Sequence, residues 1–288
     1  MMKTRAFLKW AGGKFHLIET IRRHLPEGDL LVEPFLGAGS VFLNTDYPRY
    51  LLTDINVDLI NLYNLLKRDP ERFIADARGF FIATNNEPES YYALRQEFNS
   101  SVDPYYRSLL FLYLNRHGYN GLCRYNKSGG FNVPFGRYKK PYFPQAELEF
   151  FAQKAQCAEF VCCSYEQTFA KIQAGDVVYC DPPYAPLSAT ASFTSYASDG
   201  FNQGDQQRLA ELAEKACQEQ GATVLISNHE LAFTRQIYHR AQLSSLQVRR
   251  TISRKGKARI KVDELLALYP AQERVAIAPS LVTAIKLR

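Results

Sequence analysis

No stretch of the sequence is apolar for the ~18 residues that a membrane-spanning helix needs. The run Ser108-Leu-Leu-Phe-Leu-Tyr-Leu114 is far too short. The first fourteen residues contain basic side chains but no continuous apolar stretch, so no signal peptide is expected and the expected location is cytoplasmic. None of the cysteines at 123, 157, 162, 163, 180 and 217 forms a Cys-x-x-Cys pair, and only five histidines are present, widely scattered. No zinc or other metal site is therefore expected. Without a secretion signal the cysteines are expected to be free and mostly buried thiols. There is no internal repeat or low-complexity tract, and 46% apolar against 22% charged residues excludes disorder as the main state. A G-x-G-x-x-G fingerprint and a Walker lysine are both missing, which disfavours a phosphate-cradling loop.

The 288 residues suffice for one large domain or two moderate ones. Two segments alternate strand and helix patterns. In the first, Leu30-Leu-Val-Glu33 reads as a strand that runs into Pro-Phe-Leu-Gly-Ala-Gly39, with Ser40-Val-Phe-Leu43 beginning a helix. Tyr50-Leu-Leu-Thr-Asp54 is a second strand, and Asn56 to Leu66 has helical periodicity. The second segment contains strands at Phe160–Cys163, Asp176–Asp181 and Thr223–Ser227, with helices at Gly204–Glu219 and Glu230–His239. Leu246–Ile252 and Glu264–Tyr269 read as an antiparallel edge hairpin. Alternating strands and helices imply a mostly parallel sheet. Residues after Pro270 carry no strong pattern and are expected to form a loose tail, 271–288.

A local absence is more informative. Between Asp103 and Glu147 there is no acidic residue, although 29 acids in 288 residues would put about four there. The same window holds seven cations, interleaved from Tyr113 to Tyr138 with aromatic residues and with Gly and Asn turns. Such a surface suits gripping phosphates and stacking on bases. A second basic run, Arg249 to Lys261, has seven cations in thirteen residues and reads as a loop lying over nucleic acid.

Two motifs carry chemistry. The glycines of Phe35-Leu-Gly-Ala-Gly39 allow close backbone approach to a ligand at the carboxyl edge of a sheet. Asp54 ends the next strand, where an acid binds ribose hydroxyls in Rossmann-like sites or caps a helix. Asp181-Pro-Pro-Tyr184 is the stronger signal. Two prolines fix the backbone, so Asp181 and the Pro182 carbonyl are rigid acceptors, with the flat face of Tyr184 beside them. That combination suits a planar heterocycle bearing an amino group.

Together these motifs resemble the amino-directed DNA methyltransferases that use S-adenosylmethionine (SAM). Phe7-Leu-Lys-Trp-Ala-Gly-Gly-Lys14, Tyr119-Asn-Gly-Leu-Cys-Arg-Tyr125, Phe131-Asn-Val-Pro-Phe-Gly-Arg-Tyr-Lys-Lys140 and Val262-Asp-Glu-Leu-Leu266 narrow the resemblance to the Dam-type DNA adenine methyltransferases, over roughly residues 3 to 269. The implied fold is α/β: a Rossmann-like methyltransferase sheet with an antiparallel edge hairpin, plus a mainly helical target-recognition insertion. The catalytic domain would comprise 1–69 and 146–270, and the insertion 70–145. The implied reaction is methylation of adenine N6 in duplex DNA at GATC, with the base flipped into the Asp-Pro-Pro-Tyr pocket, by a nucleoid-associated protein acting as a monomer.

The resemblance assigns Trp10, Lys14, Glu33, Phe35, Gly37, Asp54 and Asp181 to SAM, with Ser164 and Tyr165 as weaker candidates. Lys14 would pair with the methionine carboxylate, Glu33 with the amino group and Asp54 with the ribose diol. Asp181, Pro182 and Tyr184 would be catalytic. For DNA, Arg124 and Lys9 would read guanines, Leu122 and Pro134 would touch a thymine methyl, and Tyr119 and Asn120 would enter the gap left by the flipped base. Tyr138 would contact base or backbone, and Arg95, Asn126, Asn132 and Arg137 would position phosphates. An RNA or restriction-associated methyltransferase with another target, and a DNA-binding protein without catalysis, are the competing readings.

Overall fold

The computed structural model describes residues 3–184, 201–247 and 263–272. The basic run after Val248 and the tail beyond Gln272 lie outside these residues.

Helix α1 (Ile18–His24) precedes strand β1 (Leu30–Glu33) and β2 (Arg49–Asp54). Helices α2 (Val57–Arg68), α3 (Pro70–Arg78), α4 (Pro88–Ser100), α5 (Pro104–His117) and α6 (Gln145–Lys154) follow. Then come β3 (Ala158–Cys162), α7 (Tyr165–Phe169), β4 (Val177–Cys180), α8 (Gln203–Lys215), β5 (Thr223–His229), α9 (Ala232–Ile237), β6 (Gln242–Leu246) and β7 (Glu264–Tyr269). The strands form one sheet in the order β3-β2-β1-β4-β5-β7-β6, with β7 antiparallel to both β5 and β6. The other pairings are parallel. The chain runs outward from β1 through β2 to β3, then returns to place β4 against the other side of β1. This reversal makes the carboxyl ends of β1 and β4 the switch point, where open α/β sheets bind ligands.

Alternation along the strands divides the core. Leu31, Leu52, Tyr179 and Leu225 pack on one face with α2 and the inserted helices, whereas Val32, Val178, Cys180, Val224 and Ile226 face α7 and α8. Prolines at the first position of α3, α4 and α5 suit helix starts, where the missing N–H would have had no intrahelical partner. Asn56, Asp69 and Asp103 accept backbone N–H groups as N-caps of α2, α3 and α5. Within residues 70–145 the α-helices run through α5 and a 3-10 turn, Tyr119–Gly121, follows; residues 122–144 form turns and extended segments closed by isolated bridges at Gly118–Phe135 and Tyr125–Phe131.

Two sequence expectations are corrected. Ser40–Leu43 does not open a regular helix: only a short 3-10 turn, Phe42–Asn44, forms. Asn44 Nδ2 donates to the Ser40 carbonyl and Thr45 Oγ1 to the Val41 carbonyl, so side chains take the acceptors that helical N–H groups would use. The edge strand that pairs with β7 begins at Gln242 and ends at Leu246, before most of the expected run, of which residues 248–252 lie outside the described residues. Its Gln and Ser residues hide it, and its register, Gln242 opposite Leu268 and Leu246 opposite Glu264, comes from pairing with β7.

Candidate active site

A cleft of about 310 Å³ opens at the switch point. Trp10, Lys14, Glu33, Phe35, Gly37, Asp54, Asp181, Pro182 and Tyr184 all line it, so nine residues from four sequence segments meet at one place. Ser164 and Tyr165 do not line it. Ser164 caps α7 in a reciprocal capping box with Gln167, and Tyr165 stacks behind Phe35 at 5.5 Å.

The glycine turn is held from two sides. Asp54 Oδ2 accepts the Gly37 N–H at 3.0 Å, and Tyr63 Oη donates to the Gly37 carbonyl at 2.7 Å. Gly37 has φ of 49°, and a Cβ there would lie 2.8 Å from Trp10 Nε1. A side chain is thus opposed both by backbone strain and by the packed indole. Asp54 Oδ1 accepts the Asn56 N–H at 2.9 Å, and burial raises the pKa of this carboxyl against the backbone donors that lower it.

Glu33, at the end of β1, is 2% exposed and its Oε1 has no hydrogen-bond partner among the described residues. Burial, with a smaller push from Asp181, raises its pKa to about 8. A buried carboxyl oxygen without a donor is costly unless a ligand supplies one.

Asp181 follows β4. Its Oδ1 takes Lys14 Nζ at 2.7 Å and Ser227 Oγ at 3.2 Å. Its Oδ2 and the Pro182 carbonyl have no hydrogen-bond partner among the described residues. Burial raises the Asp181 pKa, and the Lys14 ammonium works against that rise. Lys14 also donates to the Gly12 carbonyl at 2.7 Å and lies over the Tyr184 ring at 4.6 Å. The Tyr184 ring meets His229 edge-on at 4.6 Å, and Tyr184 Oη donates to Glu264 Oε2 at 3.3 Å.

Several supporting residues escaped sequence reasoning. Gln206 Nε2 donates to the Pro183 carbonyl at 2.7 Å, and Gln206 Oε1 accepts from Asn228 Nδ2 at 2.8 Å. Ser227 reaches Asp181 and His229 lines the cleft because the β4–β5 register puts Cys180 opposite Ile226. The only signal for them was polar Ser-Asn-His at the end of an apolar strand.

The second group of expected residues gathers around the N-terminal segment. Asn115, buried in α5, accepts the Lys9 N–H at 2.9 Å and donates to the Lys9 carbonyl at 2.8 Å. This pins residues 9 and 10, with Trp10 in the cleft and Lys9 Nζ 3.8 Å above the Tyr138 ring. Burial, then the Arg116 charge, lowers the Lys9 pKa to about 8. Tyr119 and Asn120 are exposed on a turn, and the Tyr119 N–H donates to the Pro134 carbonyl at 2.8 Å. Asn120 and Arg137 have φ of 55° and 52°, values uncommon for residues other than glycine. Leu122 packs partly against the core, and Pro134 is exposed.

Arg124 is exposed, but its Nε donates to Asn132 Oδ1 at 2.7 Å and its Nη2 to the Asn132 carbonyl at 3.2 Å. Asn132 therefore orients Arg124. Asn126 Oδ1 accepts the Ser128 and Gly130 N–H groups and shapes the loop tip. Arg95 Nη1 donates to the Val133 carbonyl at 3.0 Å, with the guanidinium 4.8 Å above Tyr92.

Among the described residues no cluster of three or more His, Cys, Asp or Glu could hold a metal ion, and no helix is long and apolar enough to cross a membrane.

Comparison with known proteins agrees with this geometry. Relatives described as DNA adenine methylase match over 269 residues, 93% of this chain. The Vibrio cholerae protein is 63% identical with 97% of its length covered, that of Serratia marcescens 61% with 100%, and that of Escherichia coli (strain K12) 60% with 96%. Residues 10–252 match the family described as D12 class N6 adenine-specific DNA methyltransferase. With residues 10–252 matching this family and relatives about 60% identical over 93% of its length, the chain belongs to the D12 class of N6 adenine-specific DNA methyltransferases.

Proposed function

We propose that the protein transfers a methyl group from SAM to adenine N6 within GATC in duplex DNA, with the target base flipped into the pocket formed by Asp181, Pro182 and Tyr184. The observation that carries this reading is the meeting in one cleft of Asp181 Oδ2 and the Pro182 carbonyl, neither bonded among the described residues, with the orphaned Glu33 Oε1.

The cleft residues fit the cofactor. Glu33 Oε1 suits the methionine ammonium, which would satisfy it and favour its ionised form. Asp54 keeps lone pairs for a ribose diol beyond its two backbone bonds. The Lys14 ammonium has three donors, of which Asp181 and the Gly12 carbonyl use two, leaving one for a carboxylate. Trp10 and Phe35 supply apolar walls. When bound, SAM supplies an electrophilic methyl group on a sulfonium.

Adenine N6 is a weak nucleophile because its lone pair is delocalised into the ring. Asp181 Oδ2 and the Pro182 carbonyl accept its two hydrogens and favour a pyramidal nitrogen with a directed lone pair. Lys14 and Ser227 hold the Asp181 carboxylate by its Oδ1 and Gln206 holds the Pro183 carbonyl of the same turn, so the gain comes from alignment in a preorganised site. Tyr184 stacks on the extruded base, which is unreachable inside a duplex.

In this reading residues 70–145 recognise the target, and 1–69 with 146–270 carry catalysis. Arg124 reads a guanine through its fork, and Lys9 with Tyr138 reads the guanine of the other half-site. Leu122 and Pro134 meet a thymine methyl. Tyr119 and Asn120 fill the vacated stack. Arg95, Asn126 and Arg137 face phosphates, while Asn132 acts first on Arg124. Cleft and basic segments come from one chain, which supports a monomer acting on each strand in turn. Labelled methyl transfer to a GATC duplex, a scrambled duplex and RNA tests the reading. Label is expected on the GATC adenine alone; equal transfer to scrambled DNA removes the GATC assignment, and preference for RNA removes the substrate.

A further inference from the structure

We propose that Asp58 is a positioning residue that holds the Arg124 loop in register with the cofactor cleft, through Tyr125. This rests on the reading of Arg124 as a base reader. Tyr125 neighbours Arg124 in an extended segment, so the two side chains leave the backbone on opposite sides. Arg124 is exposed, whereas Tyr125 is partly buried and donates from its Oη to Asp58 Oδ2 at 2.7 Å.

Asp58 lies in the first turn of α2 and is 5% exposed. Arg107 of α5 grips the same carboxylate with Nε at 3.0 Å from Oδ1 and Nη2 at 2.9 and 3.1 Å from Oδ1 and Oδ2. Arg107 Nη1 in turn donates to the Phe98 and Ser101 carbonyls at the end of α4. One buried carboxylate thereby ties together α2, α5, the end of α4 and the loop.

A second contact runs beside the first. Asn56 Nδ2 lies 3.5 Å from the Sγ of Cys123, on the other side of Arg124. The Asn56 N–H also donates to Asp54 Oδ1, whose partner oxygen holds Gly37. The five residues from Asp54 to Asp58 thus meet the cleft at one end and both neighbours of Arg124 at the other. The joint is partly buried around the buried Asp58 carboxylate, and that burial pushes the Cys123 thiol up to about 12 and raises Tyr125 as well. A hydroxyl–carboxylate bond there is strong and directional, which is what fixing a guanidinium relative to a distant methyl donor requires.

Removing Asp58 or Arg107 would strand a buried charge and endanger the fold. Tyr125→Phe removes one hydroxyl and keeps the ring against Phe131. In the full-length protein we expect Tyr125→Phe to lower discrimination between a GATC duplex and one changed at the Arg124 guanine by about tenfold, the size of one lost hydrogen bond to a charged group. SAM affinity without DNA should stay within about twofold. Amide exchange should accelerate across residues 122–132 but not in the sheet.

Acting through Arg124, the effect should vanish in an Arg124→Ala background, a non-additivity that simple destabilisation would not produce. Discrimination within twofold of wild type, or a loss that adds fully to that of Arg124→Ala, overturns the proposal. If Arg124→Ala itself discriminates normally, the assignment of Arg124 has failed; the anchoring is then decided by exchange, faster across 122–132 upholding it and unchanged exchange overturning it.

Discussion

Lys14 Nζ lies 2.7 Å from Asp181 Oδ1, joining residues at opposite ends of the catalytic sequence and pinning one carboxylate oxygen while the other has no partner among the described residues. Because Lys14 opposes the upward pull of burial on the Asp181 pKa, it helps keep this carboxyl ionised.

Asp181→Ala removes an N6 acceptor, and methyl transfer should fall by at least ~100-fold, the usual scale for losing a preorganised polar group. DNA binding should fall much less. Lys14→Ala leaves the acceptor in place but lets its pKa rise further, so the acidic limb of the pH–rate profile should move to higher pH. Steady-state rates across pH check both; activity of Asp181→Ala within a few-fold of wild type would contradict the mechanism.

Glu33 connects cofactor binding with pH. Its folded pKa, about 8, lies above its ordinary value of 4.5, so the native state binds the extra proton between those values. Its contribution to stability is complete below about 4.5 and lost as pH rises through 8. Glu33→Gln should flatten that part of the thermal stability profile and weaken SAM about tenfold or more, the scale of one hydrogen bond to a charged group. Wild-type SAM binding should release protons near pH 7, seen as a buffer-dependent heat in calorimetry.

Lys9, with its pKa lowered to about 8, loses its charge as pH rises through that value. Affinity for GATC duplex should therefore fall between pH 7 and 9, and Lys9→Ala should be weaker at pH 7 but nearly flat across the range. Gly121→Ala should resemble Lys9→Ala, since a Cβ at this φ of 62° would sit 2.1 Å from Lys9 Cβ. Fluorescence anisotropy at fixed salt would measure each case.

Arg124→Ala should cost about 1–3 kcal/mol of discrimination at one guanine, with SAM affinity nearly unchanged. Asn132→Ala should lose part of that discrimination, because Asn132 orients the guanidinium. Arg137→Ala should weaken all duplexes alike. Competition between GATC and singly altered duplexes distinguishes base reading from phosphate holding.

Salt reports on the basic segments as a whole. Each phosphate contact should steepen the decline of log affinity with log salt by about 0.9, and Arg137→Ala should make the slope shallower by about one contact. Affinity independent of salt up to ~0.2 M would rule out an electrostatic DNA surface.

The sequence by itself determined the α/β class, most strands and the two chemical motifs. β1 is an apolar run that ends in Glu33 and β4 one that leads directly into Asp181, and period-two and period-3.6 patterns are local properties that survive without a partner. The acid-free window between Asp103 and Glu147 was likewise visible in composition alone. Only the tertiary structure decided what those residues touch. Lys14 against Asp181, Tyr125 against Asp58, Ser227 beside Asp181 and Asn132 on Arg124 are contacts between segments, and no local period records which buried charge another will neutralise. The start of β6 at Gln242 and the collapse of Ser40–Leu43 to a short 3-10 turn have the same origin. Strand pairing and side-chain bonds to the backbone outweighed local propensity where an otherwise unpaired group needed a partner.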